Sequence, residues 1–67
     1  MPQGTVAWFD ADKGYGFVTA DEGPDVYAHY SQIVTDGKRV LEPGQSVEFD
    51  LSDGARGPQA DNIRVTG

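Results

Sequence analysis

The chain contains no cysteine, one histidine and five basic residues against eleven acidic ones. Without cysteine it can form neither a disulfide nor a thiolate metal site, which is typical of a protein from a reducing compartment. No apolar run approaches the roughly 20 residues that cross a bilayer, and the opening Met-Pro-Gln-Gly does not resemble a signal peptide. We therefore expect a cytoplasmic protein with no membrane partner.

The scarcity of reactive side chains also argues against an enzyme. Ser31 follows His29, the single histidine, by only two residues, which is too near in sequence to indicate a catalytic pair. Gly14 and Gly16 do not begin a dinucleotide-binding loop, because Thr19 stands where the third glycine would be needed. We expect no catalytic residue, no cofactor and no metal site.

Two segments alternate between ring side chains and small or aliphatic ones, as strands with one buried face do. The rings on one face are Tyr15, Phe17, Tyr27 and His29. The opposite face carries Gly16, Val18, Ala20, Val26 and Ala28. The small aliphatic face suits a tight interior better, so we expect the rings to meet water. An exposed aromatic patch indicates a binding surface, and bases of single-stranded nucleic acids stack on such rings.

The loop Ala20–Pro24 has the length of a hairpin connection, which fixes how these two strands pair. We expect these opposed pairs: Thr19 with Asp25, Val18 with Val26, Phe17 with Tyr27, and Tyr15 with His29. A slip by one residue would turn the rings into the core, so the pattern itself specifies the register.

Three further strands complete a chain of 67 residues, which is enough for one small domain, residues 1–67. They are predicted at Thr5–Phe9, at Ser46–Leu51 and near Asn62–Val65, with Ser52–Pro58 as a loop. The predicted core side chains are Val6, Ile33, Leu41, Val47, Phe49, Leu51, Ile63 and Val65. Five short strands without a periodic helix predict an all-β fold, a closed or nearly closed antiparallel barrel.

Trp8 is the only tryptophan, and two interpretations are open for it. A tryptophan in a small domain is often a core anchor. Val6 already offers a core side chain, however, and Trp8 and Phe9 cannot both point inward without a bulge.

The stretch Lys13–Val18 resembles the first ribonucleoprotein motif of bacterial cold shock proteins, and Val26–Tyr30 resembles their second. Further segments similar to that family are Gly4-Thr5-Val6, Trp8-Phe9, Ser31-Gln32-Ile33, Val47-Glu48-Phe49 and Gly57-Pro58-Gln59-Ala60. The resemblance implies a barrel of the oligonucleotide/oligosaccharide-binding (OB) type that holds single-stranded RNA or DNA. It also implies an RNA chaperone or an antiterminator-like regulator of transcription.

The resemblance further implies which residues bind the nucleic acid. Bases would stack on Trp8, Phe17, Tyr27, His29 and Tyr30, with Tyr15 assisting. Lys13 and Arg56 are implied as charged partners, and Asp25 as a base contact. Lys38 and Arg39 lie in the long irregular stretch before the fourth strand and are candidates to touch the ligand's backbone. We expect a monomer that prefers pyrimidine-rich strands.

The chain departs from the family pattern where charge matters. Ala7 stands where a lysine is common, Asp10 where an asparagine is common, and Lys38 where a ring is often found. With a formal net charge of −6, this acidity favours a second interpretation. The same barrel could instead be a protein- or oligosaccharide-interaction module.

Overall fold

The computed structural model describes residues 2–21, 23–35, 37 and 39–66. The strands are β1 (Gln3–Asp10), β2 (Tyr15–Ala20), β3 (Asp25–His29), β4 (Ser46–Gly54) and β5 (Gly57–Val65), and one 3-10 turn, η1 (Tyr30–Gln32), follows β3. The five strands form a closed barrel in the order β1-β2-β3-β5-β4. The predicted all-β, OB-type barrel is confirmed. Among the described residues, no helix is long and apolar enough to span a membrane.

One seam of the barrel is parallel, whereas the other four are antiparallel. β3 and β5 run in the same direction, with Tyr27 opposite Gln59 and Ala28 opposite Ala60. A closed ring with an odd number of strands cannot alternate in direction all the way round, so one parallel pair is unavoidable. This seam brings the first half of β5 beside the ring-bearing strand β3.

The hairpin of β2 and β3 has the predicted register. Tyr15 lies opposite His29, Phe17 opposite Tyr27, Val18 opposite Val26, and Thr19 opposite Asp25. Since opposed residues of a strand pair point to the same face, the rings share one face and the valines share the other.

The barrel interior is built from short and aliphatic side chains around one phenylalanine. The buried core consists of Val6, Val18, Val26, Ala28, Ile33, Leu41, Val47, Phe49, Ala60 and Ile63. The predicted burial of Ile33 and Leu41 is confirmed, and Ile33 forms a parallel bridge to Ile63. The buried residues include no polar or charged side chain among those described.

A bulge in β1 settles the orientation of its two aromatic residues. Val6 lies opposite Val18 and Trp8 opposite Phe17, so Ala7 is an extra residue on β1. The extra residue turns Trp8 outward beside Phe17, and it leaves Phe9 packed against the core. Of the two interpretations of Trp8, the core anchor is therefore wrong.

Two residues predicted for the core are exposed. Leu51 is 58% exposed and Val65 is 46% exposed, although their cross-strand partners Ala60 and Val47 are fully buried. The reason is that β1 pairs with β4 only as far as Glu48, so Leu51 has a strand on one side only. Val65 lies at the last position of β5.

The predicted loop Ser52–Pro58 is also wrong, because most of it is strand. β4 continues to Gly54 and β5 starts at Gly57, which lies opposite Gly54. Only Ala55 and Arg56 form the turn between them. The long hairpin places Arg56 at its tip.

Candidate nucleic-acid interface

Six rings form one continuous patch on the outside of β1, β2, β3 and η1. We call it the aromatic surface, and its members are Trp8, Tyr15, Phe17, Tyr27, His29 and Tyr30. The centroids of neighbouring rings are 4.6–6.4 Å apart, the shortest distance being that between His29 and Tyr30. The four rings that the alternation assigns to one strand face, Tyr15, Phe17, Tyr27 and His29, lie together on the outside of the barrel.

The two strands of the hairpin hold the centre of the aromatic surface. Phe17 and Tyr27 are cross-strand partners whose rings meet edge to face at 5.9 Å. Trp8 reaches this pair across the first seam, with its ring 5.6 Å from that of Phe17. Trp8 is nevertheless 43% exposed. The ring faces are thus partly packed against each other and partly open to a ligand.

At one edge of the aromatic surface, η1 sets the positions of His29 and Tyr30. The Ser31 backbone N–H donates to Nδ1 of His29 at 3.2 Å, and the Ser31 hydroxyl oxygen lies 2.8 Å from the same nitrogen. His29 is therefore the N-cap of η1, and in the neutral ring the proton belongs on Nε2. The imidazole is held in one orientation before any ligand arrives.

The two glycines of the first motif let the backbone pass closely under the rings. Gly14 has φ +79°, and a Cβ there would lie 2.7 Å from the Tyr30 ring. The Tyr30 N–H donates to the Gly14 carbonyl at 2.9 Å, and this hydrogen bond stabilises the close packing of the Gly14 backbone against Tyr30. At Gly16 a Cβ would collide with the Trp8 carbonyl, so β2 can approach β1 only without a side chain.

Asp10 organises the turn that presents Lys13. Its Oδ1 accepts the backbone N–H groups of Asp12 at 3.0 Å and of Lys13 at 3.1 Å. Its carbonyl accepts the Gly14 N–H at 2.7 Å. The carboxylate therefore stabilises the turn, and Lys13 is exposed beside the first motif strand.

Arg56 lies over the rings although it is far from them in sequence. Its guanidinium carbon is 5.2 Å from the centroid of Tyr27 and 5.9 Å from that of Tyr15. Both distances are within the range of a cation–π interaction. The structure thus adds a positive charge to the middle of the aromatic surface.

The other predicted residues lie at different places. Asp25 is exposed at the first position of β3, and Arg39 is exposed in the segment before β4. Arg64, which is not among the predicted site residues, lies opposite Glu48 on the β4–β5 pair and outside the aromatic surface. Lys38 lies outside the described residues, so its role stays a prediction.

Gln59 was not predicted for the site, and the parallel seam places it opposite Tyr27. Its side-chain amide donates to Oδ1 of Asp61 at 3.0 Å. The Ser52 hydroxyl and this amide donate to the Asp61 carboxylate, and they hold its pKa below the ordinary value. An odd number of strands requires one parallel pair, but which two strands form that pair depends on how the barrel closes.

The arrangement offers ring faces for stacking and polar groups for hydrogen bonding. Among the described residues, no group of three or more histidine, aspartate or glutamate side chains could hold a metal ion. What the aromatic surface presents is a row of ring faces, one guanidinium and exposed polar groups at its margin.

Comparison with known proteins agrees with this geometry. The family model described as "'Cold-shock' DNA-binding domain" matches residues 2–66. The chain is 57% identical over 63 residues to the major cold shock protein of Streptococcus pyogenes, covering 94% of each chain. It is also 57% identical over 61 residues to the cold shock-like protein CspC of Bacillus cereus, covering 91% of this chain and 94% of that one.

A solved structure has the same fold at much lower sequence identity. The chain titled "drosophila Unr CSD456" superposes with a TM-score of 0.79 at 21% identity, over 98% of this chain. The match spans about a quarter (26%) of that longer chain. At this identity the likeness supports the fold alone.

Proposed function

This chain belongs to the cold-shock domain family, and we propose that it binds single-stranded RNA and DNA by stacking unpaired bases on the aromatic surface. The observation that carries the proposal is the continuity of six exposed or half-buried rings with one guanidinium above them. Stacking of one base on an aromatic side chain contributes about 1–3 kcal/mol and tolerates any base. A few stacked bases therefore favour single strands over duplexes, whatever their sequence.

The residues divide into three roles in this proposal. Stacking falls to Trp8, Phe17, Tyr27, His29 and Tyr30, with Tyr15 assisting. Lys13 and Arg56 meet phosphates, and Lys38 is a further candidate for such a contact. Their charges are local, so a strand can bind although the chain as a whole carries −6.

Two polar side chains can favour particular bases. The exposed carboxylate of Asp25 can accept from the amino group of cytosine, as acidic side chains do in base recognition. The Gln59 amide, opposite Tyr27, can bond to the edge of a base stacked there. The Asp25 contact supports a preference for pyrimidine-rich strands, whereas the Gln59 amide can bond to any base.

We propose that the protein acts as a monomeric cytoplasmic RNA chaperone or antiterminator-like regulator. A ligand that binds only the open form of a hairpin shifts its equilibrium toward that form by mass action. The closed barrel supports a monomer, because closure leaves only the last part of β4 with a strand edge that could pair with a second chain. The test is a fluorophore-quencher RNA hairpin: added protein should open it, and Phe17→Ala protein should open it much less.

The rival proposal is a module for proteins or oligosaccharides on the same barrel. The position of Arg56 over Tyr15 and Tyr27 favours nucleic acid, because a neutral oligosaccharide has no charge for the guanidinium to meet. Trp8 fluorescence should be quenched by a pyrimidine-rich single strand at micromolar concentration and should not respond to a neutral oligosaccharide. The opposite response would establish the rival.

A further inference from the structure

One end of the barrel opens into an apolar cleft that is separate from the aromatic surface. The cleft has a volume of about 110 Å³ and is lined by Pro2, Ala20, Pro24, Val26, Phe49, Leu51 and Pro58. Val26 and Phe49 are core residues and form its floor. Leu51 is the most exposed large apolar side chain among the described residues. The barrel thus leaves a bulky aliphatic side chain in water beside an open apolar hollow.

Prolines and backbone hydrogen bonds shape the walls of this cleft. Three of the seven lining residues are prolines, whose rings fix the backbone φ angle. The Pro2 carbonyl accepts the Phe49 N–H at 3.1 Å, and the Gln3 carbonyl accepts the Asp21 N–H at 2.9 Å. A preformed cleft loses little conformational freedom on binding, which favours affinity.

The dimensions of the cleft limit what it can hold. Pockets for cofactors and drug-sized ligands have volumes of roughly 300–1,000 Å³, several times larger than this one. A volume of about 110 Å³ suits one aliphatic side chain. The occupant is therefore an anchor residue of a larger molecule.

Two exposed carboxylates lie beside the cleft. Asp21 follows Ala20, and Asp53 lies opposite Pro58 on the face of β4 that carries Leu51. The cation nearest to Pro58 in sequence is Arg56, whose guanidinium is over the Tyr27 ring instead. The rim of the cleft is accordingly negative.

This charge distinguishes between the classes of partner. Nucleic acid phosphates would be repelled by the rim. A second copy of the chain, docked by a two-fold axis on the same face, would bring like carboxylates together. A segment with basic residues on both sides of an aliphatic one complements both the cleft and its rim.

We propose that the cleft docks a basic peptide segment of a protein partner, with one aliphatic side chain of that segment inserted between Leu51 and the prolines. The aromatic surface stays free, so the protein can hold a nucleic acid strand and a protein partner at once. Such a surface would bring the bound strand to the partner.

The test is a titration of the isotope-labelled full chain with short synthetic peptides, followed by amide NMR shifts. The probe has a central leucine flanked on each side by two lysines. Its matched controls replace the leucine by glycine or the lysines by glutamates. We expect the probe to shift the amides of Ala20, Val26 and Leu51 and to leave the Trp8 indole N–H unchanged. Each control should bind about tenfold more weakly or worse at low salt.

Variants locate the contact. Leu51→Ser should weaken binding of the probe about tenfold, whereas Val34→Ser, which also removes an exposed apolar side chain, should not. Asp53→Asn should weaken it severalfold, whereas Glu42→Gln should not. A pyrimidine-rich single strand should bind equally well with and without saturating probe, which separates this site from the aromatic surface.

Three results would overturn the proposal, and none of them depends on a variant folding. The first is equal binding of the probe and its glycine control, which would indicate charge attraction alone. The second is a shift of the Trp8 indole N–H in place of the cleft amides. The third is self-association of the free protein through the cleft, seen as concentration-dependent shifts of those same amides.

Discussion

The guanidinium carbon of Arg56 lies 5.2 Å from the centroid of the Tyr27 ring. Arg56 is at the tip of the β4–β5 hairpin, and Tyr27 is in the middle of β3. The hairpin thus carries a positive charge onto a surface built from other strands. A phosphate next to a base stacked on Tyr27 would meet that charge.

Replacing Arg56 by glutamine should weaken binding by about 1 kcal/mol, because both the cation–π interaction and one phosphate contact are lost. With two to three phosphate contacts, the slope of log affinity against log salt should be about −1.5 to −2 in the unaltered protein. It should become shallower by about 0.7 in the variant. Arg64→Gln is the control and should leave both the affinity and the salt slope unchanged. A starting slope steeper than about −4 would mean that more cations contact the strand than we propose.

Replacing Phe17 or Tyr27 by alanine should weaken single-strand binding by about 1–3 kcal/mol, the usual loss of one stacked base. Val26→Ala should have the reverse effect, lowering the free energy of unfolding by roughly 1–3 kcal/mol and changing affinity little. Chemical denaturation and fluorescence titration of the same samples measure both quantities. If Phe17→Ala unfolds the protein while the folded fraction binds normally, our assignment of the two faces is wrong.

The hairpin of the two motif strands could be predicted residue by residue because its alternation permits only one register. Phe17 beside Tyr27 and Val18 beside Val26 follow from the requirement that valines be buried. The pattern is local and strict there, so it specifies the register without information from the rest of the chain.

Prediction failed where a strand extends beyond its neighbours. Alternation alone predicts burial of Leu51, but the pairing of β1 with β4 ends at Glu48. Near Asn62, which has φ +50°, β5 has one more residue than the facing part of β4. Ala60 and Ile63 are therefore both buried although they are three residues apart, whereas strict alternation would bury every second residue. The contact of Arg56 with the rings depends on how this hairpin curls, which a local pattern does not contain.

Ala7 and Asp10 test the effect of charge near Trp8. Ala7 is exposed at the bulge, so the fold should tolerate Ala7→Lys. The new lysine should strengthen binding by up to about 0.8 kcal/mol, which is the interaction energy of two unit charges at roughly 7 Å in an effective dielectric near 60. Asp10→Asn should strengthen binding by a similar amount, because it removes a negative charge near the strand's phosphates. The turn should be kept, because the amide oxygen can still accept the Asp12 and Lys13 N–H groups. Dissociation constants across a salt series should show about tenfold tighter binding of the double variant at low salt.

The control for this pair is Asp10→Ala, which removes the charge and the turn together. It should destabilise the protein by about 1 kcal/mol and gain less affinity than Asp10→Asn. An unchanged dissociation constant of the double variant at low salt would mean that the strand does not run past Ala7 and Asp10.

Gly14→Ala separates backbone strain from the position of Tyr30. Alanine at φ +79° is strained by about 1 kcal/mol, and its Cβ would also displace the Tyr30 ring. Gly23→Ala imposes a similar strain at φ +107° but meets no atom within 4 Å. Both variants should lose stability in thermal unfolding, and only Gly14→Ala should lose affinity for a single strand. Equal affinities would exclude Tyr30 from the binding site.

The most direct test of the account compares one pyrimidine-rich sequence as a single strand and as a duplex, by titration of Trp8 fluorescence at fixed salt. Stacking on the aromatic surface requires unpaired bases, so the single strand should quench Trp8 and bind at least about tenfold more tightly than the duplex. The bound length should be a few nucleotides, within the roughly 4–16 typical of one such barrel. Equal binding of the duplex would contradict the account, because it would mean that the protein binds phosphates and that the rings do not stack on bases.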